Sequence, residues 1–199
     1  NSINSAGHSL MSLLNDVLDF SKLKKEKVIL LPEPGNLEEF IEDTAKIIKI
    51  SAENKGISFE YHYKFDQGLV KCDFNRLRQI ILNLLSNAIK FTDEGGVNLL
   101  VKETAPQTYF FEVKDTGCGI SSDFLPKIFH MFEQDHNSQK IHKGTGLGMN
   151  ISQKLIKMMG SEIKVESTLG EGSKFSFELK LESAVEKVEK SDLNASLNN

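Results

Sequence analysis

Cysteine is almost missing from this 199-residue chain. Cys72 and Cys118 can make neither a disulfide framework nor a metal quartet, which points to a reducing, cytoplasmic setting or to the cytoplasmic part of a membrane protein. No apolar run approaches the roughly 20 residues of a membrane span, and no signal peptide opens the chain. Charge of one sign is lacking too: a formal net charge of -4 gives no support to nucleic-acid or membrane-surface binding. An initiator Met is absent, so the expectation is a piece of something longer. No Gly-Lys-Ser/Thr follows the glycine run Gly144–Gly148, which excludes a Walker A loop. What is present, 39% hydrophobic and 26% charged residues, describes a soluble globular domain with appendages.

Hydrophobic spacing divides the chain. Residues 3–26 read as an amphipathic helix: Ile3, Leu10 and Val17 repeat every seven residues, as do Ala6, Leu13 and Phe20, a seam for packing on other helices. Pro32, Pro34 and Gly35 predict a linker. Asn36 with Glu39 predicts a capped helix start, and Lys55-Gly56 its end. Alternation of Ile57, Phe59, Tyr61 and Tyr63 predicts a half-buried strand. A short strand at Leu69–Cys72 leads to Asp73, an N-cap for a helix over 74–91. Strands are expected near 96–103 and 107–115, with Pro106 between them, then a helix over 146–159. A hairpin follows near 162–167 and 174–181, turning at Leu169-Gly-Glu-Gly172. The globular part, 36–182, is therefore α+β with mostly antiparallel strands, and residues 183–199 read as a linker or tail. The long polar stretch 116–145 predicts a functional lid or disorder, with Phe129 and Phe132 as its apolar anchors.

Glycines cluster in two places: Asp115-Thr-Gly-Cys-Gly-Ile120 after an apolar strand, and Gly144-Thr-Gly-Leu-Gly148 at a helix start. A helix start offers unpaired N–H groups to an anion, and glycines let backbone approach a ligand closely. Tyr109, Phe111, Val113 and Asp115 alternate onto one face, so Asp115 ends an inward apolar row. A carboxylate there must accept hydrogen bonds, and the exocyclic amine of adenine is a suitable donor. On the helix over 76–91, Leu77, Ile81, Leu84, Leu85 and Ala88 make the apolar face, with Leu82 and Ile89 extending it. Asn83, Asn87 and Lys90 nevertheless share one narrow stripe. One such Asn usually ties down a neighbouring loop; three polar groups beside a glycine-bearing site favour a ligand. An amide oxygen suits a hard cation, and a lysine neutralises phosphate.

These pieces resemble the catalytic and ATP-binding domain of sensor histidine kinases, in the GHKL ATPase superfamily. The N box is similar to residues 75–92, the G1 box to Asp115–Ile120, the F box to Ile128–Gln134, the G2 box to Gly144–Gly148, and the last hairpin to Gly170-Glu-Gly-Ser-Lys-Phe175. The resemblance implies a two-layer α/β sandwich of the Bergerat type. By that resemblance Asn87 holds Mg²⁺ bridging the phosphates of ATP, and Asn83 and Lys90 assist at those phosphates as the catalytic pair. Phe91 lies against the base, Asp115 accepts from the adenine amine, and Gly117, Gly119, Ile120, Phe132, Thr145, Gly146, Leu147, Gly148 and Ser173 complete the nucleotide site. Residues 120–145 become a mobile ATP lid.

Residues 9–22 resemble the second helix of the dimerisation and phosphotransfer hairpin of hybrid kinases, which makes 1–31 an incomplete hairpin. None of His8, His62, His130, His136 or His142 is followed by an acidic residue, so the phosphoacceptor histidine is expected outside this sequence. The implied partners are a second copy through the hairpin and a receiver domain or response regulator; nucleic acid is not implied, and a membrane only through upstream segments. Two alternatives stand beside this reading. One is another GHKL ATPase of the gyrase B, mismatch-repair or chaperone kind. Those enzymes carry Glu four residues before the metal Asn, where this chain has Asn83. The other is a non-catalytic nucleotide-binding or dimerisation module.

Overall fold

Side-chain caps set the helix boundaries. In the computed structural model, which describes residues 29–66, 68–131, 133 and 146–184, helix α1 spans Leu37–Lys55. Asn36 Oδ1 accepts from the backbone N–H of Glu38 at 2.9 Å and caps the helix where the sequence predicts; Glu39 joins it through a side-chain bond, Asn36 Nδ2 donating to Glu39 Oε1 at 3.3 Å. Gly56 closes the helix in the left-handed region at φ 76°. Helix α2, Phe74–Phe91, starts at Asp73, whose Oδ1 accepts from Arg76 N–H at 3.0 Å. Its end is held from outside: Lys55 Nζ donates to the carbonyls of Ile89 and Lys90 at 2.7 Å each, a cation at the negative end of the dipole. Helix α3 spans Gly148–Met158. The helix expected over residues 3–26 lies outside the described residues.

Two sheets are present. The larger has five strands in the order β2-β4-β5-β7-β6: β2 Ser58–Lys64, β4 Gly96–Ala105, β5 Thr108–Asp115, β7 Gly172–Lys180 and β6 Lys164–Thr168. β2 runs parallel to β4 and the other pairs are antiparallel. Inward rows Val97-Leu99-Val101, Tyr109-Phe111-Val113 and Phe175-Phe177-Leu179 are buried against the helices, with Phe111 and Phe177 stacked at 4.9 Å. The opposite face carries exposed groups such as Lys102 and Lys114, so among the described residues the large sheet is covered by helices on one face only. α2 lies at the centre of that layer and buries Leu77, Ile80, Ile81, Leu84, Leu85, Ala88 and Ile89. Each large aliphatic so buried stabilises the fold by roughly 1.5–3 kcal/mol, which is what fixes α2 over β4 and β5.

Two expectations need correction. The segment read as a Pro/Gly linker contains strand β1, Glu33–Asn36, in a three-stranded sheet of order β1-β3-β8 with β3 Leu69–Cys72 and β8 Glu182–Ser183. Pro34 is tolerated because β1 is an edge strand, where a missing N–H need not cost a ladder bond. The row Ile57-Phe59-Tyr61-Tyr63 is also less covered than its alternation predicts: Tyr61 is 39% exposed. β2 is an edge strand, and only part of its inward row lies beneath α1.

Candidate functional site

Asp115 is the most constrained polar group at the end of the large sheet. It is 4% exposed and terminates the inward row of β5. Two backbone donors converge on its Oδ1: Gly117 N–H at 2.9 Å and Ser173 N–H at 3.2 Å. Its Oδ2 takes neither bond. Burial pushes the Asp115 carboxyl above the ordinary aspartate value, and the two amide bonds only partly oppose this. A buried carboxylate with one oxygen satisfied and one turned from those donors is built to accept from something else.

The loop after Asp115 is held by its own backbone. Cys118 N–H donates to the Phe91 carbonyl at 3.1 Å, the Cys118 carbonyl accepts from Gly170 N–H at 2.7 Å, and Ile120 N–H donates to Ser167 Oγ at 2.8 Å. The loop is thereby fixed between the last residue of α2 and the tip of the β6–β7 hairpin. Gly119 is required here: at φ 67° it occupies the left-handed region, and a Cβ would lie 2.0 Å from the Thr168 carbonyl oxygen. Gly117, Cys118 and Ile120 thus spend their amides on the protein, so this loop leaves little N–H capacity for an anion.

Anion capacity lies on the other side. Leu147, buried, precedes α3 and supplies no side-chain cap, and a helix start of this kind carries backbone N–H groups suited to an anion. Gly146 sits just before it at φ 67°. The predicted polar stripe of α2 faces this helix start. Asn83 Nδ2 donates to Ser152 Oγ at 2.9 Å and lies 3.7 Å from Met149 Sδ. A Cβ on Gly148 would stand 2.4 Å from Asn83 Oδ1, so only glycine lets the two helices approach this closely. Asn87 Nδ2 points to Asn83 Oδ1 at 3.5 Å and to Met149 Sδ at 3.4 Å, which turns its Oδ1 elsewhere. Lys90 is half-buried, with Nζ 4.8 Å from the centre of the Phe91 ring, and burial pulls its pKa below the ordinary lysine value.

The structure therefore brings Asp115, Gly117, Gly119, Ile120 and Ser173 together on one wall, and Asn83, Asn87, Leu147 and Gly148 on another, with Lys90 and Phe91 at the end of α2. Phe132 and Thr145 lie outside the described residues, as does most of the expected lid. Its first part, residues 121–131, contains the 3₁₀ turn Leu125–Lys127 and rests on the core through Ile128 and Phe129. Three residues that sequence reasoning missed belong to the same neighbourhood. Ser152 is one turn beyond Gly148. Asn150 donates from Nδ2 to the Phe129 carbonyl at 2.8 Å, while its Oδ1 is buried with no partner among the described residues. Ser167 is the inward residue two after Val165, a position that period-two reading of β6 could have found.

Among the described residues no group of three His, Cys, Asp or Glu side chains could hold a metal ion, and no helix is long and apolar enough to cross a membrane.

The chain is similar to known proteins over most of its length. Residues 72–183 match the family described as "Histidine kinase-, DNA gyrase B-, and HSP90-like ATPase". The chain is 41% identical over 195 residues to the sensor protein GacS of Pseudomonas syringae pv. syringae, covering 95% of this chain and 22% of that protein. It is 37% identical over 184 residues to the aerobic respiration control sensor protein ArcB of Escherichia coli K12, covering 91% of this chain and 24% of that protein. The chain thus spans under a quarter of the length of these relatives. Among solved structures it is similar to full-length ShkA in complex with AMPPNP, with a TM-score of 0.82 and 34% identity, covering 92% of this chain and 38% of that one.

Proposed function

Because the chain belongs to the histidine kinase-, DNA gyrase B- and HSP90-like ATPase family, we propose that it is the ATP-binding catalytic domain of a two-component sensor histidine kinase. The observation that carries the reading is Asp115: a buried carboxylate whose Oδ1 is occupied by two backbone amides and whose other oxygen is left to accept from an adenine amine. The two walls divide the ligand between them. The sheet end with the 115–120 loop takes the base, against Phe91. The start of α3, with Asn83 and Lys90, takes the phosphates, where α3 amides and the Lys90 ammonium offset negative charge. Thr145 and Phe132 join this site in the proposal as parts of the glycine run and the lid.

Asn87 fits a magnesium ion that arrives with the phosphates. Its Nδ2 is engaged by Asn83 and Met149, which leaves its Oδ1, a hard oxygen donor, for the cation. A dedicated protein cage is not needed, since Mg²⁺ is commonly held by one or two protein groups plus substrate phosphate. When bound, the ion would neutralise charge developing on the transferred phosphoryl group. The residues of this chain orient the γ-phosphate and exclude water; the nucleophile is a histidine outside this sequence. Asn83 stands where hydrolysing relatives carry a general base, which favours transfer to a protein over transfer to water. A cytoplasmic location, pairing of two copies through a helical hairpin, and passage of the phosphoryl group to a receiver domain or response regulator complete the proposal.

Two measurements test it. Calorimetric titration should show binding of Mg-ADP and Mg-AMPPNP, and this chain incubated with labelled ATP should form no acid-labile phosphate until a hairpin domain carrying the phosphoacceptor histidine is added in trans. Absence of nucleotide binding, or acid-labile labelling of this chain alone, would overturn the reading. Asn87→Ala should remove the gain in nucleotide affinity that Mg²⁺ confers while changing Mg²⁺-free ADP binding little. Titrations with Mg²⁺ and with a chelator check this, and an undiminished Mg²⁺ effect in the variant would count against the metal role.

A further inference from the structure

We propose that Ser167 is a positioning residue for base selection: it holds the 115–120 loop in place and fixes the Ser173 hydroxyl as an acceptor toward the base. The inference rests on the nucleotide reading above and extends it to a residue that does not itself touch the ligand.

Register places the residues. Ser173 of β7 lies opposite Asp115 of β5, and Ser167 of β6 lies opposite Ser173. Opposite residues share a face, so the three form one polar row across three strands, where the apolar row of Val113, Phe175 and Val165 gives out. Three contacts meet at Ser167 Oγ: Ile120 N–H at 2.8 Å, the Gly172 carbonyl oxygen at 2.7 Å and Ser173 Oγ at 3.0 Å.

A hydroxyl has one proton and two lone pairs. The Gly172 carbonyl can only accept, so the Ser167 proton goes there. Ile120 N–H takes one Ser167 lone pair, and the second receives the proton of Ser173. One assignment satisfies all three contacts. The Ser173 proton is thereby committed away from the ligand, and the Ser173 lone pairs remain as acceptors beside Asp115. Asp115 presents acceptors as well, since its amide donors both sit on Oδ1. A wall made of acceptors favours a purine bearing an amine at position 6 and repels one bearing a carbonyl there; the discrimination comes from the repulsion as much as from the attraction. Removal of the Ser167 hydroxyl frees the Ser173 proton, which can then donate to such a carbonyl.

The test compares ADP with IDP by calorimetry. In Ser167→Ala, the ratio of ADP to IDP affinity should fall about tenfold, as expected when one hydrogen bond of ordinary strength changes sign. Ser167→Thr keeps the hydroxyl on a residue suited to a strand and should restore the wild-type ratio. On a Ser173→Ala background, the Ser167→Ala change should leave the ratio unaltered, because the proton in question is gone. Should Ser167→Ala not fold, Ser167→Cys replaces it, its thiol being a weak donor and acceptor. Equal weakening of both nucleotides by the Ser167 variants would overturn the proposal and leave Ser167 as loop support alone. Failure of the wild-type chain to bind either nucleotide has a different signature and would overturn the nucleotide reading itself.

Discussion

Asp115→Asn should weaken ADP binding by about 1.5–3 kcal/mol, the worth of a hydrogen bond to a charged group, without lowering the stability of the nucleotide-free protein. The carboxamide oxygen can keep the Gly117 and Ser173 amides, while its NH₂ replaces the acceptor that met the adenine amine. The stability half follows from linkage. Burial holds the folded-state pKa of Asp115 above its unfolded value, so between the two values the folded protein binds more protons and its stability falls as pH rises through the folded pKa. At neutral pH the ionised Asp115 is therefore a cost to the fold, and the amide removes it. Thermal unfolding without ligand should give an equal or higher Tm for the variant. The wild-type affinity for ADP should decline as pH drops through that raised pKa, and the variant should lack this decline. Calorimetry showing unchanged ADP affinity in Asp115→Asn would refute the base-recognition role.

Gly119→Ala should cost more than the same change at Gly160, a left-handed glycine with open space where its Cβ would lie. A left-handed φ alone costs an L-residue roughly 1–2 kcal/mol. At Gly119 the new methyl would also meet the Thr168 carbonyl oxygen at 2.0 Å, the Thr168 carbonyl carbon at 2.8 Å and Leu169 Cα at 3.0 Å, all backbone. The loop would have to leave the hairpin, losing the Gly170–Cys118 and Ile120–Ser167 bonds. A loss of about 3 kcal/mol is expected, lowering Tm by ~6–12 °C in a domain of this size, together with more than tenfold weaker ADP binding. Gly160→Ala is the control, because Gly160 has φ 83° but nothing within 4 Å of the added carbon. Equal destabilisation in the two variants would show that the contact with the hairpin does not matter.

The parts of the site legible in the sequence are those set by local periodicity. Period two along Tyr109–Asp115 places the carboxylate inward, and a period near 3.6 places Asn83, Asn87 and Lys90 on one stripe; both hold in three dimensions. The parts that were not legible depend on register between distant segments. Ser167 matters because β6 pairs with β7 in the one register that sets it opposite Ser173. Lys55 holds the end of α2 across 34 and 35 residues of sequence, and nothing near Lys55 announces it. β1 was hidden because Pro and Gly normally mark interruptions, and only the position of the strand at a sheet edge makes them acceptable. Asn83 lies on the expected stripe, and its amide donates to Ser152 within α3 rather than to a neighbouring loop, a contact that only the packing of the two helices reveals.

The way the 115–120 loop uses its own amides carries a mechanical consequence. The base wall is bolted to the sheet and its hairpin, while α3 is seated in the core through Ile151, Leu155 and Ile156 and meets α2 at its first turns through Gly148, Asn83 and Ser152. In the proposed reading each end of the nucleotide then has its own foundation. The 115–120 loop draws on none of the groups assigned to the phosphates, so exchange of spent for fresh nucleotide would leave the seat of the base intact.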